Sequence, residues 1–187
     1  MSQARALLIL ALVLSCMPAA AEGDPAAVEG EPAAWQAPAS NAAALKAAPA
    51  LPEAARSEAR ARAFVEALRR GDPEAALPFF FPQDAFRRLK TIKEPDRYFS
   101  RLTKVYKEDV AAMRKTLKHP DEVEFVSFEL GRQRSWIEVG KEGNAFPYWA
   151  VYKSILTVKD GQRLVPLQMR VMIHWGDQWY VTHLTNK

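Results

Sequence analysis

The sequence predicts an α+β fold, with helices first and a curved antiparallel β-meander after them. Three observations carry that prediction. Tyr98/Phe99, Leu102, Val105/Tyr106, Val110, Met113 and Leu117 recur at steps of three and four, the period of one amphipathic helix. After Pro120 the apolar period drops to two. Two long runs, about 146–158 and 163–175, then flank Asp160-Gly161, a strong two-residue hairpin signal.

The chain opens with an address. Arg5 precedes a continuous apolar run, Ala6 to Val13, too short to span a membrane and suited to a secretory signal. The sequence therefore predicts a signal over 1–21 and an exported chain that is not an integral membrane protein. Ala19-Ala20-Ala21 offers ordinary cleavage. Val13-Leu14-Ser15-Cys16 resembles the lipobox of bacterial lipoproteins, which ends the signal at residue 15 and makes Cys16 the lipidated N-terminus. That resemblance implies a membrane partner through the lipid anchor. With Met17 next, it implies the periplasmic side of an outer membrane. The alternative is a periplasmic or secreted chain.

Residues 17–52 hold 15 Ala and six Pro. The prolines interrupt any Ala-driven helix, and few large apolar side chains offset ordering entropy. The expectation is a disordered, semi-extended tether. The folded domain is expected over 53–187.

Within it, Ala54 to Arg70 places Ala61, Phe64, Val65 and Leu68 on one helical face, and Gly71 suits the C-terminal cap. Asp72-Pro73 reads as the start of a second short helix through Leu77. Phe79-Phe80-Phe81, between Pro78 and Pro82, reads as a buried aromatic joint. Asp84 to Leu89 adds a helical turn or two. The clearest helix starts at Glu94-Pro95-Asp96 and ends near Lys118, before His119-Pro120.

In the meander, Val123, Phe125 and Ser127 alternate with Glu124, Val126 and Phe128, and Ser135 to Val139 forms a second strand. Taking Asp160 and Gly161 as the hairpin loop pairs Leu156 with Val165, Ser154 with Leu167, Tyr152 with Met169, Ala150 with Val171 and Tyr148 with Ile173. The other face then pairs Lys153 with Gln168, Val151 with Arg170 and Trp149 with Met172. One face is nearly all apolar, as a half-buried sheet requires. Gly176-Asp177 turns into a last strand, Trp179 to Leu184.

The strings ALRRGDPEAALPFF (67–80) and IHWGDQWYVTHL (173–184) resemble the first helical joint and the last hairpin of nuclear transport factor two-like domains. These are also called the SnoaL-like or cystatin-like cone. The chain departs from many members in having no strand pair between its second and third helices. The resemblance implies an apolar pocket between helices and sheet. Its lining candidates here are Tyr148, Tyr152, Met169, Trp175, Trp179 and His183. Enzymatic members place a carboxylate base or an Asp/Tyr pair in that pocket. Here the apolar sheet face carries no Asp or Glu, and Glu124, Glu129 and Glu138 read as exposed.

Several function classes recede on composition. One cysteine excludes a disulfide framework and a Cys-rich zinc site. His174 and His183 have no third ligand at recognisable spacing, and His174 falls on the outer face. No catalytic residue, metal or cofactor is assigned. The net charge of +4 divides into −2 over residues 1–52 and +6 over 53–187. Arg97, Arg101 and Lys104 share one helical face, a candidate docking surface for an acidic partner. Nucleic acid is not expected. The leading expectation is a non-catalytic envelope protein binding a hydrophobic small molecule, a lipid or a partner protein. The alternatives are a SnoaL-like enzyme of isomerase or hydrolase type with a polar pocket near His183, and a structural module docking through its basic helix.

Overall fold

The computed structural model describes residues 48, 50–54 and 57–185. The expected signal, Cys16 and nearly all of the 17–52 segment lie outside the described residues. No helix among the described residues is long and apolar enough to cross a membrane.

Glu58–Arg70 form α1, burying Ala61, Phe64, Val65, Ala67 and Leu68. Gly71 closes it in the left-handed region (φ 67), its N–H bonding the Leu68 carbonyl at 3.1 Å. The helix expected from Asp72 does not form. Asp72 Oδ1 accepts the N–H groups of Glu74 and Ala75, but only turns and a 3-10 segment, Leu77–Phe79, follow. Pro78 explains this, because a proline disfavours the α conformation of the residue before it and brings no N–H of its own.

Gln83–Leu89 form α2 and Pro95–Lys115 form α3, three residues shorter than expected. The shortening has a visible cause. The N–H groups of Lys118 and His119 turn away to the Asp160 carboxylate, at 2.8 and 2.7 Å. These amides hold the Asp160 carboxyl below the usual carboxylate range, against the opposing effect of burial.

Five strands follow among the described residues: β1 Glu124–Glu129, β2 Gln133–Ile137, β3 Tyr148–Asp160, β4 Arg163–Trp175 and β5 Gln178–His183. They make one antiparallel sheet. β3 is flanked on one edge by β4 and on the other by β1 and β2, which lie end to end along it, while β5 pairs with β4. The β5 edge is not left bare, since Phe81 N–H bonds the Val181 carbonyl at 3.0 Å and Trp179 N–H bonds Ser57 Oγ at 2.8 Å.

The hairpin register differs from the expected one by two residues. Asp160 pairs with Arg163, so the loop is Gly161-Gln162, with Gly161 at φ 62. Glycine in the first loop position is the pattern of a type II′ turn, and the two amides captured by Asp160 keep that residue in the strand. Leu156 therefore faces Leu167, Ser154 faces Met169, Tyr152 faces Val171 and Ala150 faces Ile173. On the other face Val151 meets Met172 rather than Arg170. A shift of two preserves the faces, because side chains alternate with period two.

Two bulges change what the alternation would give. One falls between Phe125 and Ser127, leaving Val126 exposed and letting Phe125 and Phe128 both pack on the core. The other sets both Thr182 and His183 against Val171.

The core lies between the helices and the sheet. The aromatic joint is its centre. Phe79 meets Phe64 at 5.6 Å, Phe80 meets Tyr106 at 4.7 Å, and Phe81 meets Trp175 and Tyr180 at 5.9 Å, measured between ring centroids. Each buried phenylalanine contributes roughly 1.5–3 kcal/mol through its transfer from water. Tyr106 is buried, and its hydroxyl donates to the Ala76 carbonyl at 2.9 Å, tying α3 to the joint.

Candidate functional site

A cavity of about 290 Å³ opens between the helical layer and the sheet. Phe80 and Phe81 reach it from the joint, Phe86 from α2, and Tyr98 and Leu102 from α3. Tyr148, Ala150 and Tyr152 of β3, Val171 and Ile173 of β4, and Thr182 and His183 of β5 form the sheet wall. Alternation explains the β3 and β4 contributions. His183 needs the bulge: in an unbroken register it would stand opposite Arg170, on the outer face. The extra residue at Thr182 turns it inward.

One end of this apolar space is polar. Tyr148 O–H donates to Glu142 Oε2 at 2.5 Å. Lys90 Nζ donates to the Glu142 carbonyl at 3.2 Å and to Tyr148 Oη at 3.4 Å, and stands 3.8 Å from Glu142 Oε2. The Lys90 side chain is only 19% exposed, that of Glu142 49%. Burial pushes the Lys90 ammonium down from its ordinary pKa, and the Glu142 charge opposes that. Burial pushes the Tyr148 phenol well up, and the bond to Glu142 adds to the effect. Tyr152 moves the same way through burial and the Glu142 charge, while a bond from Ser135 resists.

Burial lowers the His183 pKa, with help from the charges of Arg170 and Lys90, while Asp109 and Glu142 act against them. Its Nδ1 lies 3.2 Å from Thr182 Oγ1.

Of the residues expected to line a pocket, Tyr148, Tyr152 and His183 come together here. Met169 and Trp179 are fully buried in the packing and do not line it, and Trp175 borders a different groove. Sequence reasoning missed Lys90 and Glu142. It found no carboxylate for the apolar face because it considered strand positions only. Glu142 comes from the β2–β3 loop instead. Its signal was a carboxylate between Gly140 and Gly143, both at positive φ. That loop is clasped by Asn144, whose Oδ1 accepts the Glu142 N–H at 2.9 Å. Asn144 Nδ2 donates to the Glu138 and Phe146 carbonyls. Lys90 belongs to no strand, and its signal was its place directly after the buried Leu89 at the end of α2.

The second groove, about 220 Å³, is bordered by Trp136, Tyr148, Trp149, His174 and Trp175, together with Ala50 and Pro52. Trp136 and Trp149 stand across β2 and β3 with ring centroids 5.5 Å apart. His174 and Trp179 stand across β4 and β5 at 5.2 Å. Trp179 Nε1 donates to the Pro52 carbonyl at 3.4 Å.

On α3, Arg97, Arg101 and Lys104 are all exposed. Arg97 pairs with Glu94 at 3.2 Å and Arg101 lies 5.4 Å from the Tyr98 ring centroid. Among the described residues no cluster of three or more His, Cys, Asp or Glu side chains is placed to hold a metal ion. The arrangement in the cavity can surround a small apolar body and satisfy one polar group at its end. Compared with known proteins, the chain matches no family model, no curated protein and no solved structure.

Proposed function

We propose that this chain is an exported, lipid-anchored, non-catalytic envelope protein whose folded domain binds a small hydrophobic molecule. The observation that carries the reading is the cavity itself: mostly apolar walls closing on one cluster of convergent polar groups. Pockets with that division take ligands by area burial and orient them by a few polar contacts. A cone-like wrapping of sheet around helices, as in nuclear transport factor two-like domains, belongs to the same reading. The apolar run before Cys16 supports export and anchoring, and the Ala/Pro-rich segment after it supports a tether.

Uptake of the neutral dye N-phenyl-1-naphthylamine tests the binding. Its fluorescence should rise on entering the cavity, and Ala150→Leu, which fills the sheet wall, should weaken uptake about tenfold, a loss of ~1.4 kcal/mol. An Ala150→Leu chain that melts like wild type and takes up dye equally would reject the reading. Radiolabelled palmitate tests the anchor: labelling should vanish in Cys16→Ala, and label that persists removes the lipoprotein claim.

A second reading is an acid–base enzyme of SnoaL-like type. What favours it is that His183, its pKa lowered by burial, shares one cavity with Tyr148 and Glu142. Turnover lost in His183→Gln but retained in Ala150→Gly would support it over simple binding.

A further inference from the structure

We propose that the cavity selects a molecule with a short alkyl body and one terminal carboxylate, and that Glu142 occupies the carboxylate's place while the cavity is empty. The proposal rests on the reading that the cavity binds a hydrophobic molecule, and it names the class.

The polar end is asymmetric in charge and in mobility. Its two embedded groups are donors. Tyr148 is 4% exposed on β3, and the Lys90 ammonium, at the end of α2, is held by the Glu142 main-chain carbonyl at 3.2 Å. Among the described residues their anionic partner is the Glu142 carboxylate, which accepts from Tyr148 and stands 3.8 Å from Lys90 Nζ, on a side chain half open to solvent. Its loop backbone is clasped by Asn144 and by Thr91 N–H, which bonds the Gly143 carbonyl at 2.8 Å. Rotation of the Glu142 side chain into water therefore needs no opening of the loop. It would leave behind a phenolic O–H with no acceptor and an ammonium with no opposite charge beside it, held only by the Glu142 main-chain carbonyl and the Tyr148 oxygen.

Leaving them so is costly, because a buried phenolic donor goes unsatisfied and a largely buried cation loses its counter-charge where little water can replace it. A ligand carboxylate restores what Glu142 gave: a charge-assisted bond from Tyr148 and an opposite charge beside Lys90. An alcohol restores only a neutral hydrogen bond. An alkylammonium is repelled by Lys90 and gains an anionic partner only if Glu142 stays in place. The size fits a single short chain, since about 290 Å³ lies at the low end of ligand pockets. A two-tailed lipid is too large.

Titration calorimetry of the full chain at pH 7.5 with octanoate, octan-1-ol and octylamine tests the proposal on wild type, Glu142→Gln and Lys90→Met. Octanoate should bind about tenfold more tightly than octanol to wild type, because its contacts to the donors are charge-assisted. Glu142→Gln removes the internal competitor, so octanoate should tighten severalfold while octanol changes less than twofold. Lys90→Met should abolish the preference for the acid; Lys90→Gln replaces it if the methionine variant fails to fold by circular dichroism. Octanol binding as tightly as octanoate, or octylamine binding best, overturns the carboxylate class and leaves the cavity reading intact. Octanoate binding that does not tighten in Glu142→Gln overturns the stand-in role. If none of the three ligands and no neutral dye binds, this proposal falls together with the cavity reading.

Discussion

Gly131→Ala provides a severe test of how the sheet is assembled. A Cβ at this position would lie 1.7 Å from the Tyr152 carbonyl oxygen and 2.7 Å from its carbon. Real Cβ atoms essentially never approach heavy atoms closer than 3.0 Å, so the two chains must separate by more than 1 Å. Both obstructing atoms are main chain, and no side-chain rotation relieves them. Separation also removes the bond from Gly131 N–H to Ser154 Oγ, now 3.1 Å long and buried. A buried group left unsatisfied costs about 1–3 kcal/mol, and each weakened ladder bond about 0.5–1.5 kcal/mol more. The expected loss is therefore about 3 kcal/mol or greater, a large part of the ~5–15 kcal/mol that holds a typical domain. Gly140→Ala is the control. Its Cβ would meet nothing within 4 Å, and only its φ of +82 is unfavourable, a cost of roughly 1–2 kcal/mol. Urea unfolding followed by tryptophan fluorescence measures both. A Gly131→Ala chain less than about 1 kcal/mol below wild type, or no weaker than Gly140→Ala, would refute the close approach of Gly131 to β3.

Two further outcomes follow from the structure. Burial lowers the His183 pKa below its unfolded value of about 6.5, so the unfolded chain binds the extra proton first and stability falls as pH drops from 6.5 through the folded pKa. The urea midpoint should decline between pH 7.5 and 5 by more in wild type than in His183→Asn. Equal declines would contradict the assignment, with Arg170, Lys90, Asp109 and Glu142 unchanged in both chains. Glu94 precedes α3 with φ 53, a conformation that glycine adopts without strain, and its pairing with Arg97 is exposed. Glu94→Gly should raise stability by up to about 1 kcal/mol in the same assay, and a loss of that size would show that the exposed pair matters more than the backbone.

What the sequence disclosed and what it withheld have physical causes. The α3 stripe was legible because Phe99, Tyr106 and Val110 all face the core of one long helix. The faces of β3 and β4 were legible because alternation survives a register error of two. The error arose at Asp160, whose carboxylate is claimed by amides 41 and 42 residues away, a contact no local turn rule contains. The cavity was half legible. Tyr148 and Tyr152 follow from alternation, and His183 was singled out without the bulge that turns it inward. Lys90 and Glu142 meet across 52 residues, and neither belongs to a strand. Their partnership exists only once α2 and the β2–β3 loop are brought together.

The bulge in β5 has a consequence for deletions. A strand normally tolerates no loss of a single residue, because every later side chain changes sides. Here Thr182 is a surplus position: Val181 already faces Met172 and His183 already faces Val171. Removing Thr182 would straighten the strand and leave His183 and its successors where they are. Inserting a residue elsewhere in β5 has no such slack to draw on. The length of this strand can thus drift by one in a single direction without the cavity losing its histidine.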